Sequence, residues 1–164
     1  MWRELFWVLV ILLAALGILA ALAIRIIGAR ESISRREVSL VRVVDGDTLA
    51  VRDGGGPAIT VRLCGIDAPE LGTAASFASA LYVATKLETA KRIDFEPETV
   101  VHRRGGLGPK HDRYGREVGW IWVVNHNGEI SLLQEELLRI GYAELYQGDL
   151  GRYKVRLQRA ARGE

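Results

Sequence analysis

Residues 38–70 read VSLVRVVDGDTLAVRDGGGPAITVRLCGIDAPE. Two runs rich in Val and Leu, Val38 to Val44 and Thr48 to Arg52, flank Asp45-Gly46-Asp47, and the turn cluster Asp53-Gly54-Gly55-Gly56-Pro57 separates them from a third run, Ile59 to Ile66. Short β-branched runs punctuated by Gly, Pro and Asp are the signature of strands joined by tight turns. Three strands in about 30 residues predict a meander.

The rest of the chain extends this pattern. Thr73 to Lys91 is rich in Ala, Leu and Lys and predicts a helix capped by Thr73 or Gly72. Ile93 to Val101 predicts a strand weakened by Pro97, and a Gly- and Arg-containing loop, 103–110, follows it. Arg116 to Asn125 predicts a fifth strand, closed by the Asn127-Gly128 turn. Ser131 and Gln134 have the spacing of a capping box, which predicts a second helix with Leu132, Leu133, Leu137, Leu138 and Ile140 on its apolar face and Gly141 as its stop. A basic third helix is expected from Leu150 to Ala161, with little apolar tail to dock it. Glu135, Glu136 and Arg139 read as the wet face of the second helix. The fold class is therefore α+β: a five-stranded OB-type barrel with three helices, the first between strands three and four.

Ahead of this domain lies a different kind of sequence. The 49% apolar content is concentrated at the front: Leu5 to Ile24 is 20 residues without a charge. Such a helix spans about 30 Å, the thickness of a bilayer core, and Trp2 and Trp7 sit where indoles favour headgroups. Residues 1–28 are predicted to be a single-pass transmembrane anchor, residues 29–37 a polar linker and residues 38–164 the folded domain. A cleaved signal ending near Ala21-Leu22-Ala23, with secretion of the domain, is the alternative. Arg25, Arg30, Arg35 and Arg36 outnumber the basic groups before the helix, which favours a cytoplasmic domain by the positive-inside rule.

Charge and cysteine exclude other classes. Residues 39–164 hold 17 basic and 17 acidic side chains, so nucleic-acid affinity must come from local clusters rather than overall charge. The single cysteine, Cys64, forms no internal disulfide and reads as a small core residue. His102, His111 and His126 lack metal-ligand spacing.

Three short constellations carry the chemistry. Asp45-Gly46-Asp47-Thr48 aims carboxylates from a turn, as hard cations require, although D-G is also an ordinary hairpin turn. Arg62 through Asp67-Ala68-Pro69-Glu70 places a guanidinium and two carboxylates at a strand end, where a plain ion pair of Arg62 with Asp67 or Glu70 is the alternative. Lys110-His111-Asp112-Arg113-Tyr114-Gly115-Arg116 is a basic loop entering a strand, suited to phosphate and to stacking.

Taken in order, these motifs resemble the staphylococcal nuclease family, with its D-G-D-T, R-L-x-x-I/V-D-x-P-E and D-x-Y-G-R patterns on an OB barrel, over roughly residues 38–161. The resemblance implies a calcium-dependent nuclease that attacks phosphodiester bonds of DNA or RNA in line, favours single strands and leaves 3′-phosphates. It assigns Asp47, Asp67 and the Ala68 carbonyl to Ca2+, where the family commonly has Thr at the last position. It assigns Glu70 to the attacking water, Arg62 and Arg116 to the scissile phosphate, and Tyr114, Arg113 and Tyr146 to substrate contact. An exported domain would suit a scavenging nuclease, so the side of the membrane stays open. A catalytically silent barrel of the same fold, binding nucleic acid or protein at the membrane, is the alternative function. Lipid around residues 5–24 is an expected partner, and no protein partner is expected.

Overall fold

The computed structural model describes residues 6–7, 14–19, 35–101 and 106–164. The chain divides into Met1–Ser34 and Arg35–Glu164. In the first unit the two described stretches are helical. No helix among the described residues is long and apolar enough to cross a membrane, and most of the expected anchor lies outside them.

In the second unit the strands β1 (Arg36–Val43), β2 (Thr48–Arg52), β3 (Ala58–Leu63), β4 (Ile66–Asp67), β5 (Arg92–Pro97), β6 (Thr99–Val101), β7 (Leu107–Pro109), β8 (Glu117–Val124), β9 (Ile130–Leu132) and β10 (Glu144–Leu145) surround helices α1 (Ala74–Glu88), α2 (Leu133–Arg139) and α3 (Lys154–Ala161). The main sheet runs β3-β2-β1-β5-β8-β9, and a further β3–β8 pairing closes its first five strands into a ring. This is the expected α+β, OB-type barrel of five strands. The closing contact is parallel, with Val61, Arg62 and Leu63 opposite Glu117, Val118 and Gly119. A register shift between Leu40 and Arg42 puts one extra residue into β1. Such a bulge bends a strand, which helps β1 pair with β2 and β5 at once.

Strand β5 shows how alternation builds the layers. Phe95 is fully buried on one face, while Asp94 and Glu96 point to the other and are buried as well. Those acids, with Glu98, meet partners that the sequence pattern did not connect. Glu96 accepts from Trp122 Nε1 at 2.8 Å, Arg152 Nη1 at 2.9 Å and the Tyr153 hydroxyl at 3.1 Å. Glu98 accepts from Trp120 Nε1 at 2.8 Å and from Arg152 Nε at 3.3 Å. Tyr153 packs edge-on against both indoles, at 4.9 and 5.5 Å. Buried carboxylates survive only when paired and hydrogen-bonded, and this cluster provides both.

Several expectations change here. Thr73, not Gly72, caps α1, and its box closes with Ser76. Ser131 belongs to β9, and α2 starts from Leu132 without a side-chain cap. Gln134 is fully buried and spends its amide on β8 instead, donating to Gly119 O at 2.9 Å and accepting from Ile121 N at 3.3 Å. Glu135 and Glu136 are not a wet face. Glu135 is buried against Arg156, with Nε to Oε1 at 2.8 Å, and Glu136 takes Lys86 at 2.8 Å and the Tyr82 hydroxyl at 3.0 Å. Helix α3 begins at Lys154 rather than Leu150, and it docks through Leu157 and Ala160, so the missing apolar tail costs it little. Of the predicted loop 103–110, Leu107–Pro109 forms β7 against β6, and residues 103–105 lie outside the described residues.

Gly119 sits where the barrel closes. A Cβ there would lie 2.4 Å from the Phe95 ring and 2.7 Å from Glu96 O. Because a backbone carbonyl in a central ladder cannot retreat, Gly119→Ala is expected to destabilise the domain by about 1–3 kcal/mol through overpacking. Urea unfolding checks this, and an unchanged midpoint would show that the seam has room.

Candidate functional site

The β1–β2 turn presses directly on α1. A Cβ on Gly46 would meet Ser79 Oγ at 2.0 Å and Ala68 Cβ at 2.8 Å, so glycine is needed for close approach and the facing residues must be small. Asp45 Oδ1 accepts the Asp47 N–H at 3.0 Å and fixes the turn. Asp47 is thereby carried inward to 8% exposure, beside the β3–β4 bend.

From there a continuous chain of polar contacts crosses the barrel end. Asp67 pairs with Arg62 Nη2, and the same nitrogen lies 3.2 Å from Asp47 Oδ2. Asp47 Oδ1 accepts from the Thr48 hydroxyl at 3.0 Å, and Thr48 Oγ1 accepts from Arg116 Nη1, also at 3.0 Å. Arg116 is held from behind by Asp112, Nε to Oδ2 at 2.6 Å. The other side of Arg62 is held by carbonyls, with Nη1 donating to Leu63 O at 2.9 Å and to Ile66 O at 2.8 Å. Both guanidiniums are thus fixed at several atoms, which lowers the entropy lost when they bind an anion.

Charge states follow from these surroundings. Burial pushes the Asp47 carboxyl above its ordinary range, and the Arg62 charge and the Ala68 N–H at 2.7 Å pull it back only in part. Burial also works against ionised Asp112, but hydrogen bonds from Arg116 and Tyr114 hold its carboxyl below the usual range.

Arg62 and Arg116 line a cleft of about 490 Å³, with Arg113, Tyr114, Lys110 and Tyr146 around it. Tyr114 is 67% exposed; Arg116 lies 5.4 Å from its ring centroid, and Arg113 Nη2 donates to its hydroxyl at 2.6 Å. Tyr146 comes from beyond β10, its N–H bonded to Gly65 O at 3.1 Å. Lys110 pairs with Asp149 at 2.6 Å across the cleft wall.

The structure therefore gathers Asp47, Arg62, Asp67, Ala68 and Arg116 into one network and sets Arg113, Tyr114 and Tyr146 at the adjoining cleft. Glu70 is exposed, and its backbone carbonyl accepts from the Thr73 hydroxyl at 3.0 Å; like Asp47, Asp67 and Ala68, it is not among the residues that line the cleft. The ion-pair alternative for Arg62 holds for Asp67, but Asp47 shares the pair and Arg62 is largely buried. Sequence reading gave no individual role to Thr48, Asp112 or Asp149. The first two lay in plain view inside the motifs, whereas Asp149 comes from a distant loop with no local signal.

For a metal, the candidate donors are the Asp47 and Asp67 carboxylates, both hard oxygens, with the Ala68 backbone beside Asp47. Among the described residues no group of three or more His, Cys, Asp or Glu side chains converges. Two acids facing one arginine, with Asp45 next in the turn, nevertheless leave an excess of negative charge that fits a divalent cation completed by water.

A closed OB-type barrel with an arginine-lined cleft at its closing seam is the class that fold and geometry define. The chain belongs to the staphylococcal nuclease homologue family, whose sequence profile matches residues 60–162. An uncharacterized protein of Methanocaldococcus jannaschii is similar to it, 31% identical over 121 residues. That alignment covers 65% of this chain and 58% of the archaeal protein, so the chain spans well under two thirds of that relative.

Cys64 is the cleft's one thiol, and it is a wall rather than a nucleophile. Burial first, then the Glu98 carboxylate, push it up from 9.0 to about 12. A thiol kept neutral in the fold but free to ionise when unfolded stabilises the domain fully below pH 9.0, and that contribution is lost as pH climbs toward 12. The slope reaches about 1.4 kcal/mol per pH unit. Urea unfolding from about pH 8 to about pH 11 is expected to show a steeper loss in the wild type than in Cys64→Ala. Equal slopes would mean that the native thiol titrates normally.

Proposed function

We propose that Arg35–Glu164 is a calcium-dependent nuclease that hydrolyses phosphodiester bonds of DNA or RNA, single strands favoured, and that residues 5–24 tether it to a membrane. The observation that carries the reading is the Arg116–Thr48–Asp47–Arg62–Asp67 chain, which fixes two guanidiniums on the lining of one open cleft. Family membership supports it.

A phosphodiester accumulates negative charge on its equatorial oxygens as a fifth oxygen approaches phosphorus. Arg62 and Arg116, permanently charged and already oriented, meet that charge without reorganising. Calcium bound by Asp47, Asp67 and the Ala68 carbonyl would supply Lewis-acid neutralisation at the same phosphate. Tyr114 and Tyr146 offer ring faces to bases, which a flexible single strand presents more readily than a duplex. Arg113, held at Tyr114, adds charge for a neighbouring phosphate. Glu70 has the chemistry to take a proton from the attacking water, and from its exposed position it would do so at the rim of the site. Because Arg62, Arg116 and Lys110 each already face a carboxylate, a phosphate must compete for them. That limits general affinity and favours product release.

Among the described residues the Glu70 side chain makes no hydrogen bond or ion pair with the Arg62–Arg116 network, which favours a second reading, a barrel of the same fold that binds nucleic acid or protein at the membrane without cutting. Single-stranded DNA hydrolysis with calcium and with excess chelator separates the two. Under the nuclease reading, cleavage requires calcium and falls by roughly 10²–10³ in Arg116→Ala. In Glu70→Gln it falls by about 10²–10⁴ if the carboxylate acts as base. Binding without cleavage of DNA or RNA, in either condition, would establish the silent module instead.

A further inference from the structure

Helix α1 and the turn before it carry no charged side chain from Leu71 through Thr85, 15 consecutive positions. One side of the helix buries Ser76, Ser79, Val83 and Leu87 in the domain. The opposite side is apolar as well. Leu71 and Phe77 are each 70% exposed, Leu81 is 54% exposed, and Ala74 and Ala75 lie open beside them. Phe77 and Leu81 are one turn apart and form a continuous stripe. An amphipathic helix would put charge there, so this face lacks the partner its composition calls for.

We infer that the outer face of α1 docks on the surface of a lipid bilayer; the inference rests on the membrane tether proposed above. The chain supplies the occasion, because only ten residues, 25–34, separate the apolar run 5–24 from Arg35. Fully extended they reach about 35 Å, so a barrel on that leash stays within roughly a domain's width of the membrane. Helix α1 packs against β1, the strand that continues the leash. A lipid interface accepts Phe and Leu without a shaped groove. A nucleic acid would need cations, and the stripe has none. A stable dimer needs about 800 Å² from each partner, more than three large side chains and two alanines provide. No residue of α1 lines the arginine cleft, so lipid can cover the helix while the cleft stays open to a polynucleotide.

The test uses the full chain in vesicles of phosphatidylcholine and phosphatidylglycerol, with a nitroxide placed in turn at Phe77→Cys, at His126→Cys on the exposed β8–β9 turn, and at Leu12→Cys in the apolar run. Cys64, buried, stays unlabelled. Power saturation compares access of oxygen, which enters lipid, with that of a water-soluble nickel chelate. Docking is expected to raise the oxygen-to-nickel ratio at position 77 severalfold over that at 126, and Leu71→Asp with Leu81→Asp should remove the difference. A ratio at 77 equal to that at 126, with position 12 in lipid, overturns the inference and leaves the tether standing. Nickel access at position 12 overturns both. A label at 77 shielded from both reagents and broadened by a second spin would show self-association, and that too overturns lipid docking.

Discussion

The parallel pairing of β3 with β8 is the constraint on which the rest depends. Three residues on each strand close the barrel, and the same three set Arg62 opposite Val118, two positions from Arg116. Without that seam the two arginines would stand on separate edges of an open sheet. The bonds that flank it extend its effect. Leu63 N donates to Asp47 O at 2.8 Å and Cys64 N to Gly119 O at 2.9 Å, tying the Asp47 turn and the β3–β4 bend to the seam. Gly119 lets β5 and β8 approach closely enough for Phe95 to fill the interior beside it.

Two polar systems sit on this frame and differ in kind. Around Glu96 and Glu98 every carboxylate is answered by Arg152, indole N–H or the Tyr153 hydroxyl, in a closed cluster with aromatic walls. Such a cluster specifies how α3 and its preceding turn dock, and its worth lies as much in uniqueness as in stability. Around Asp47 the charges are only partly answered. One arginine faces two aspartates, and burial pushes the Asp47 carboxyl up. Under the proposed function, this incomplete pairing is what leaves Asp47 and Asp67 able to share a cation, whereas the Glu96 cluster is already closed.

How much of this the sequence shows depends on how local the determinants are. The five ring strands and α1 are legible because their alternation, turns and Thr73 cap lie within a few neighbouring residues. The site is legible for the same reason: Asp47, Arg62, Asp67, Tyr114 and Arg116 sit in three short motifs, and closing the barrel brings the motifs together. What stays hidden is long-range. Gln134 has the spacing of a capping box, but the backbone of β8, more than ten positions away in sequence, captures its amide. Glu135 and Arg156 look like solvated charges until α2 and α3 pack. Arg152 reads as one more basic residue on a basic helix, and its partners lie more than fifty positions earlier on β5 and just beyond it.

The central claim is that Arg62 and Arg116 act as one phosphate-binding unit. A double-mutant cycle on calcium-dependent cleavage of single-stranded DNA tests it most directly, with Arg62→Ala, Arg116→Ala and the pair. If the two form a unit, each single change costs roughly 10²–10³ in rate and the double change costs far less than the product of the two. Full calcium-dependent activity in either single variant, or strictly multiplicative losses in the double, would contradict it.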